Sequence, residues 1–207
     1  MPPAFATDAA TAAYYDQRAR EYDEWYTSQG RFAERDRPGW EAGVEQVIDL
    51  VRQLPPASTL DVACGTGFLT RHLRGSVVGI DQSPSMTAIA KSRLSAGVAL
   101  VGDGLQLAVA DHAVDRVFTG HFYGHLSAEE RTAFLTEARR AAGELVVVDS
   151  ARRPGVESEQ WQERVLNDGS RHWVYKRYFT GDQLAEEIGG QMLLDGQWFV
   201  AAKASWS

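Results

Sequence analysis

Glycines and aspartates carry the first chemical signal in this chain. In "LDVACGTG" (60–67) an apolar run meets Gly65-Thr66-Gly67. Glycine is needed where φ must be positive or where the backbone must approach a ligand closely, so this turn suits a nucleotide-like group. Asp81 closes the next apolar run, "VVGID" (77–81), 14 residues after Gly67. Its two oxygens match the two adjacent hydroxyls of a ribose. Asp103 stands at the end of a third run, in "VGDG" (101–104). There a carboxylate can accept the exocyclic amine of adenine while the N–H groups after it meet ring nitrogens. His121 and His125 sit four apart in "TGHFYGH" (119–125), and histidine is the side chain whose ordinary pKa suits a base near neutrality.

These residues do not by themselves choose a ligand. A dinucleotide fingerprint needs a third glycine where Thr70 stands. A phosphate loop needs Gly-Lys-Ser/Thr at its end, and no lysine is near. Both a nicotinamide dinucleotide and S-adenosylmethionine carry a ribose, so Asp81 leaves those two open. Asp81 could merely cap the next helix, but Ser83 is already placed to do that.

Alternating strands and helices must position these groups. Residues 1–10 are small and polar and are expected to fray. Tyr15, Ala19, Tyr22 and Tyr26 share one face of a helix expected over 10–26. Pro38 precedes a second helix with the stripe Trp40, Val44, Val47, Ile48 and Val51. Strands are expected at 60–63, 76–81, 98–103, 115–120 and 143–149, with helices opening at Gly67, running over 83–97 and running from Ser127 to about Ala142. The 83–97 helix is expected to close on Gly97. "GELVVVD" (143–149) is apolar throughout, as for a strand buried on both faces. The alternation implies a parallel sheet with helices on both sides. Beyond Asp149 a polar excursion with one short helix is expected. A strand at 171–179, a helix at 180–189 and a final strand at 196–204 follow. The reading is a Rossmann-like, seven-stranded, mostly parallel sheet with an antiparallel C-terminal strand. Its divisions are a helical cap at 10–54, a ligand-binding core at 55–149 and an acceptor lid with terminal strands at 150–207.

Composition narrows the classes. The 207 residues suit one domain with a real core. A net charge of −7 argues against a nucleic-acid partner. Cys64 is the single cysteine, which rules out an intramolecular disulfide or a Cys-based zinc site and fits a reducing compartment. The first residues lack the basic and apolar regions of a signal peptide, and no window reaches the ~18 apolar residues that span a bilayer. A cytoplasmic location with no membrane contact is therefore expected.

Taken together, "LDVACGTG", "VVGIDQSPSM" and "VGDGLQLAVADHAVDRVF" resemble the class I S-adenosylmethionine-dependent methyltransferases, in particular the small-molecule branch with the menaquinone and ubiquinone methylases. The resemblance implies S-adenosyl-L-methionine as cofactor. It implies that Asp61 and the backbone from Cys64 through Gly65 to Gly67 face its methionine part, and that Asp81 takes the ribose. Gln82 and Met86 would then flank ribose and adenine, and Asp103, Gly104 and Leu105 would read the adenine edge. His121 matches a position that touches the cofactor, and His125 one that faces the acceptor, where it would be the catalytic base. The segment "YYDQRAREYDEWY" (14–26) resembles the cofactor cap, with Tyr14 and Tyr22 reaching the cofactor and Arg18 pairing with its carboxylate. The strands at 171–179 and 196–204 fit the family's terminal antiparallel pair, which counts against a nicotinamide-binding fold.

Acceptor chemistry is thinner. Arg152, Arg153, Trp161, His172, Trp173 and Tyr175 lie in the expected lid, which suggests a flat or hydrophobic small molecule, with the arginines meeting an acidic group. No third ligand accompanies the two histidines at metal-site spacing, so no metal is expected. "GHFYGH" lacks the Asn/Asp-Pro-Pro-Tyr/Phe pattern of amino-group methylases. The expected function is methyl transfer to an O, N or C atom of a small molecule. The competing readings are an NAD-dependent oxidoreductase and a noncatalytic protein that binds S-adenosylmethionine.

Overall fold

The computed structural model describes residues 8–94 and 97–206. In chain order the elements are α1 (Ala9–Arg18), α2 (Glu24–Thr27), α3 (Trp40–Gln53), β1 (Ala57–Val62), β2 (Gly75–Asp81), α4 (Pro84–Arg93), β3 (Val98–Val101) and β4 (Val114–Gly120). They continue with α5 (Ala128–Ala141), β5 (Ala142–Ser150), β6 (Glu159–Val165), β7 (Arg171–Arg177), α6 (Gly181–Ile188), β8 (Gln191–Asp195) and β9 (Phe199–Ser205). Single 3₁₀ turns lie at Gly30–Phe32, Thr70–His72 and Tyr123–His125.

Seven strands form one sheet in the order β3-β2-β1-β4-β5-β9-β8, and β6 and β7 make a separate two-stranded sheet. Pairing is parallel from β3 through β5 and antiparallel on both sides of β9. Leu145 to Val148 of β5 are buried on both faces. Leu145 and Val147 join the cluster under α5 and α6, while Val146 and Val148 join the one under α3. The stripe from Trp40 to Val51 is the buried face of α3. Local chemistry fixes the helix starts. Ser83 Oγ accepts the Met86 N–H with Pro84 at the first helical position, and Ser127–Glu130 and Thr180–Gln183 are complete capping boxes. No helix of the described residues is long and apolar enough to cross a membrane.

Five expectations change. The helix expected over 10–26 is broken: α1 ends at Arg18, and a run of turns leads into the single turn of α2. The break sends Tyr14 into the cluster with Phe122 and Tyr123, and Tyr26 into the opposite one with Trp40 and Phe68. One straight helix could not serve both. The helix expected after Gly67 is only the turn Thr70–His72, because β2 begins at Gly75 and leaves no length for more.

The polar excursion holds a strand rather than a short helix. β6 pairs antiparallel with β7, Trp161 opposite Tyr175. The strand expected at 171–179 therefore belongs to this hairpin, and the seventh strand of the main sheet is β8, which pairs with β9. The fraying expected of the first residues falls largely outside the described residues. The helix expected over 83–97 and closed by Gly97 is shorter: α4 ends at Arg93, where Leu94 turns to extended backbone, and residues 95 and 96 lie outside the described ones.

Candidate active site

β1 and β4 are neighbours whose following connections run to opposite sides of the sheet, the switch point where open α/β sheets bind ligands. Just past each strand end a non-glycine residue adopts positive φ: Ala63 at 57° and His121 at 61°. Such strain collects at functional sites. Both residues line a cavity of about 360 Å³ over the strand ends, together with Tyr22, Gly65, Asp81 and Asp103. Gly67 has φ of 76°, and a Cβ there would lie 3.3 Å from Ala90, so this glycine lets the loop sit on α4. At Gly104 a Cβ would come within 3.0 Å of both Phe122 and Val62.

Asp81 is held by two backbone donors. Gly65 N–H donates to Oδ2 and Ser83 N–H to Oδ1, each at 2.9 Å. Burial raises its pKa against those two bonds. Asp103 lies two residues beyond β3, and its Oδ1 accepts the Leu105 N–H at 2.8 Å. The Leu105 amide is therefore committed to Asp103, and Leu105 does not line the cavity.

Beneath the glycine turn a small void of about 20 Å³ opens on Asp61, sharing Tyr22, Ala63 and Gly120 with the larger cavity. Thr70 Oγ1 donates to Asp61 Oδ2 at 2.6 Å, while the buried Oδ1 has no partner among the described residues. Burial pushes this carboxyl up to about 8. An unpartnered, buried carboxylate oxygen of this kind favours a cationic donor.

A second cavity of about 530 Å³ lies between the N-terminal helices and the β6–β7 hairpin. It meets the first at Tyr15, Tyr22 and His121, which line both. His121 is buried among Trp25, Tyr26 and Phe199, 4.9 to 5.7 Å between ring centroids. Neither ring nitrogen has a partner among the described residues, and burial lowers its pKa to about 4. His125 lines the second cavity. Its Nδ1 lies 2.6 Å from the Tyr175 carbonyl, which can only accept, so Nδ1 carries the proton and Nε2 the lone pair. The Tyr15 hydroxyl lies 3.4 Å from that Nε2. Burial, then the Lys176 ammonium, hold His125 well below the ordinary histidine pKa.

Of the residues singled out in the sequence, Tyr22, Gly65, Asp81, Gln82, Met86, Asp103, Gly104 and His121 line the first cavity. Tyr14 does not; it is buried against Tyr15 and His172. Arg18 lies in the second cavity, its guanidinium 4.7 Å from the Tyr22 ring centroid. The lid aromatics mostly face away: Trp161 and Trp173 are 40% and 63% exposed, and of the six lid residues only Arg153 lines the second cavity. The aromatic lining of the second cavity comes instead from Tyr15, Tyr22, Trp25, Trp40, Tyr178 and Trp198, interleaved with charged side chains. Tyr15, Ala63 and Gly120 escaped the sequence reading. Tyr15 was visible only as part of an apolar face, and the other two carry no chemistry in their side chains.

Residues 60–144 match a methyltransferase domain family. Over 167 residues the chain is 28% identical to an uncharacterized methyltransferase of Alkaliphilus oremlandii, covering 78% of this chain and 75% of that protein. Over 113 residues it is 31% identical to the demethylmenaquinone methyltransferase of Thermotoga maritima, covering 51% of this chain and 48% of that one. The chain thus spans about half of the latter's length. In fold it is similar to the structure of a DhpI–SAH complex, with a TM-score of 0.74, 24% identity, and 95% and 96% of the two chains covered. It is also similar to magnesium protoporphyrin IX methyltransferase from Synechocystis with bound SAH, with a TM-score of 0.63, 16% identity, and 95% and 98% covered.

Proposed function

We propose that this chain, which belongs to the class I S-adenosylmethionine-dependent methyltransferases, methylates a small molecule held in the second cavity. The observation that carries this reading is the meeting of two cavities at Tyr15, Tyr22 and His121. A methyl donor in one and an acceptor in the other would be brought face to face there.

The residues present fit the cofactor. Asp81 is oriented by two N–H bonds and presents its remaining lone pairs to the ribose hydroxyls. The unpartnered Asp61 Oδ1 suits the ammonium of the amino-acid end. Asp103 serves the adenine amine, and Gln82 and Met86 flank the nucleoside. The cofactor supplies an electrophilic sulfonium methyl; the protein supplies position and a dry, shaped site. Tyr15 and Tyr22 keep their phenolic protons, since burial raises both pKa values, Tyr22 to about 12. They therefore act as neutral walls and hydrogen-bond donors. His125 is the group that takes a proton, through Nε2, from an acceptor that carries one. Its depressed pKa keeps that nitrogen unprotonated at neutral pH.

Calorimetric titration with S-adenosylmethionine and its demethylated product, SAH, with NAD in parallel, tests the reading. Both sulfur ligands should bind and NAD should not. Asp81→Asn, which leaves one acceptor oxygen for two backbone donors, should weaken both by about tenfold or more. Binding of NAD alone would overturn the proposal.

A further inference from the structure

The lining of the second cavity is out of keeping with the rest of the chain. The molecule carries a net charge of −7, yet six cationic side chains face this one space. They are Arg18 of α1, Arg35 and Arg37 of the loop before α3, Arg153 beyond β5, Arg164 of β6 and Lys176 of β7. Asp36 and Glu163 are the carboxylates that share it, and Glu163 is already ion-paired with Arg171 at 2.8 Å. Lys176 is matched by Asp149. None of the five arginines is ion-paired with a carboxylate among the described residues.

Aromatic faces hold several of these planes without neutralising them. Arg37 lies 3.9 Å from the Trp40 ring centroid and Arg153 4.2 Å from that of Trp198. Arg37 also donates to the Trp25 carbonyl and to Ser28 Oγ, while its buried Nε has no acceptor among the described residues. Burial, then Arg35 and Arg153, push the Arg37 pKa down to about 10. Arg35 is lowered as well, by burial and then by Arg164, Arg18 and Arg31. The cations thus converge from separate parts of the chain and crowd one another. That is an arrangement in want of an anion, unlike a solvated basic face.

We propose that the second cavity is an oxyanion chamber that takes its small-molecule acceptor by a carboxylate or phosphoryl group, with Arg35, Arg37 and Arg153 as the binding set. The identification of that molecule as a methyl acceptor rests on the methyltransferase reading; the anion site does not. Guanidinium forks match the planar or tetrahedral oxygens of such groups in bidentate fashion. A cavity of about 530 Å³ under a hairpin suits a small molecule rather than a polymer. A neutral acceptor would leave the arginines uncompensated, and a cationic one would be repelled.

The test is titration of the full chain, with and without saturating SAH, using inorganic phosphate, methylphosphonate, succinate and the neutral succinamide. Tryptophan emission reports binding, because Trp25, Trp40 and Trp198 line the chamber. At least one of the acids should bind with Kd at or below about 1 mM, and succinamide should not. The relative affinity of the phosphoryl and carboxylate probes identifies the preferred group. The double variant Arg35→Gln/Arg153→Gln should lose about tenfold or more of that affinity. The corresponding double lysine variant should retain much of it, and SAH affinity should stay within about twofold in both. Equal binding of succinate and succinamide, no acid binding in either state, or wild-type acid binding by the glutamine variant would overturn the chamber. Acid binding without SAH binding would instead sink the methyltransferase reading and leave the chamber standing. SAH binding without acid binding would do the reverse.

Discussion

Asp61 and His125 show how burial shapes single groups at this site. Asp61 titrates near 8 in the folded protein because burial disfavours its charge, against an ordinary aspartate value in the unfolded chain. The native state therefore holds a proton that the unfolded chain has released. Folding carries no penalty from this group below about pH 4, and an increasing one as pH rises towards 8. Asp61→Asn should stabilise the cofactor-free protein by an amount that is small at pH 4 and grows by up to about 1.4 kcal/mol per pH unit towards pH 8. The Tm gain at pH 8 would be several degrees by calorimetry. The same variant should lose about tenfold or more in S-adenosylmethionine affinity, since a carboxylate–ammonium contact is replaced by a neutral one. A Tm gain that does not grow with pH would show that Asp61 is not the buried charge it is described as. For His125 the informative change is His125→Asn, whose amide can keep the donor to the Tyr175 carbonyl while removing the Nε2 lone pair. Turnover should fall about 100-fold with SAH affinity unchanged. Unaltered kcat would remove His125 from the chemistry and leave it a support for β7.

Among the elements, the β6–β7 hairpin walls the second cavity and is anchored through buried Val174 and the Lys176–Asp149 pair. Its turn is fastened to the N-terminal segment: Asn167 N–H donates to Glu21 Oε2 at 2.8 Å, and Asn167 Nδ2 reaches Glu24 at 3.1 and 3.2 Å. These contacts are exposed, so they hold the hairpin weakly and reversibly. Asn167→Ala should speed hydrogen exchange across 159–177 and leave β1 and β5 unchanged. It should raise the acceptor KM more than it lowers kcat. Equal protection in the variant and the parent would mean that the hairpin is held by its packing instead. The hairpin is also where the sequence was hardest to read. The alternation from β1 to β5 and the capped helix starts are local patterns, so they were legible, as were the aspartates at strand ends. β6 and β8 pair with the strands that follow them across short turns, but their own apolar–polar alternation is weak. The Asp168-Gly169 pair was the available sign, since Asp-Gly favours the turn of a hairpin, and Gly169 does adopt φ of 86°. The arginine chamber was illegible for a different reason. Arg18, Arg37, Arg153 and Arg164 are scattered in sequence and meet only because the hairpin folds over the N-terminal helices.

At the scale of the whole molecule, two apolar clusters lie on opposite faces of one sheet, and β9 serves both. Val200, Ala202 and Ala204 belong to one cluster and Phe199 and Ala201 to the other. Its pairing with β5 runs from Glu144↔Ser205 to Ser150↔Phe199, and β8 hangs on its far side. A chain ending at Gln197 should therefore fail as a unit: it should be protease-sensitive throughout and bind no SAH, rather than merely lose an edge. A truncated chain that kept a cooperative thermal transition would contradict this. The position of β9 also bears on how the protein is made. A ribosome delivers β5 about fifty residues before β9, and during that interval β5 presents an unpaired edge and four consecutive apolar residues with one wall of their packing missing. Nascent chains of this protein must wait, tethered and adhesive, for their last strand. That makes the stretch around Leu145–Val148 the segment that a ribosome-associated chaperone would have most reason to grasp.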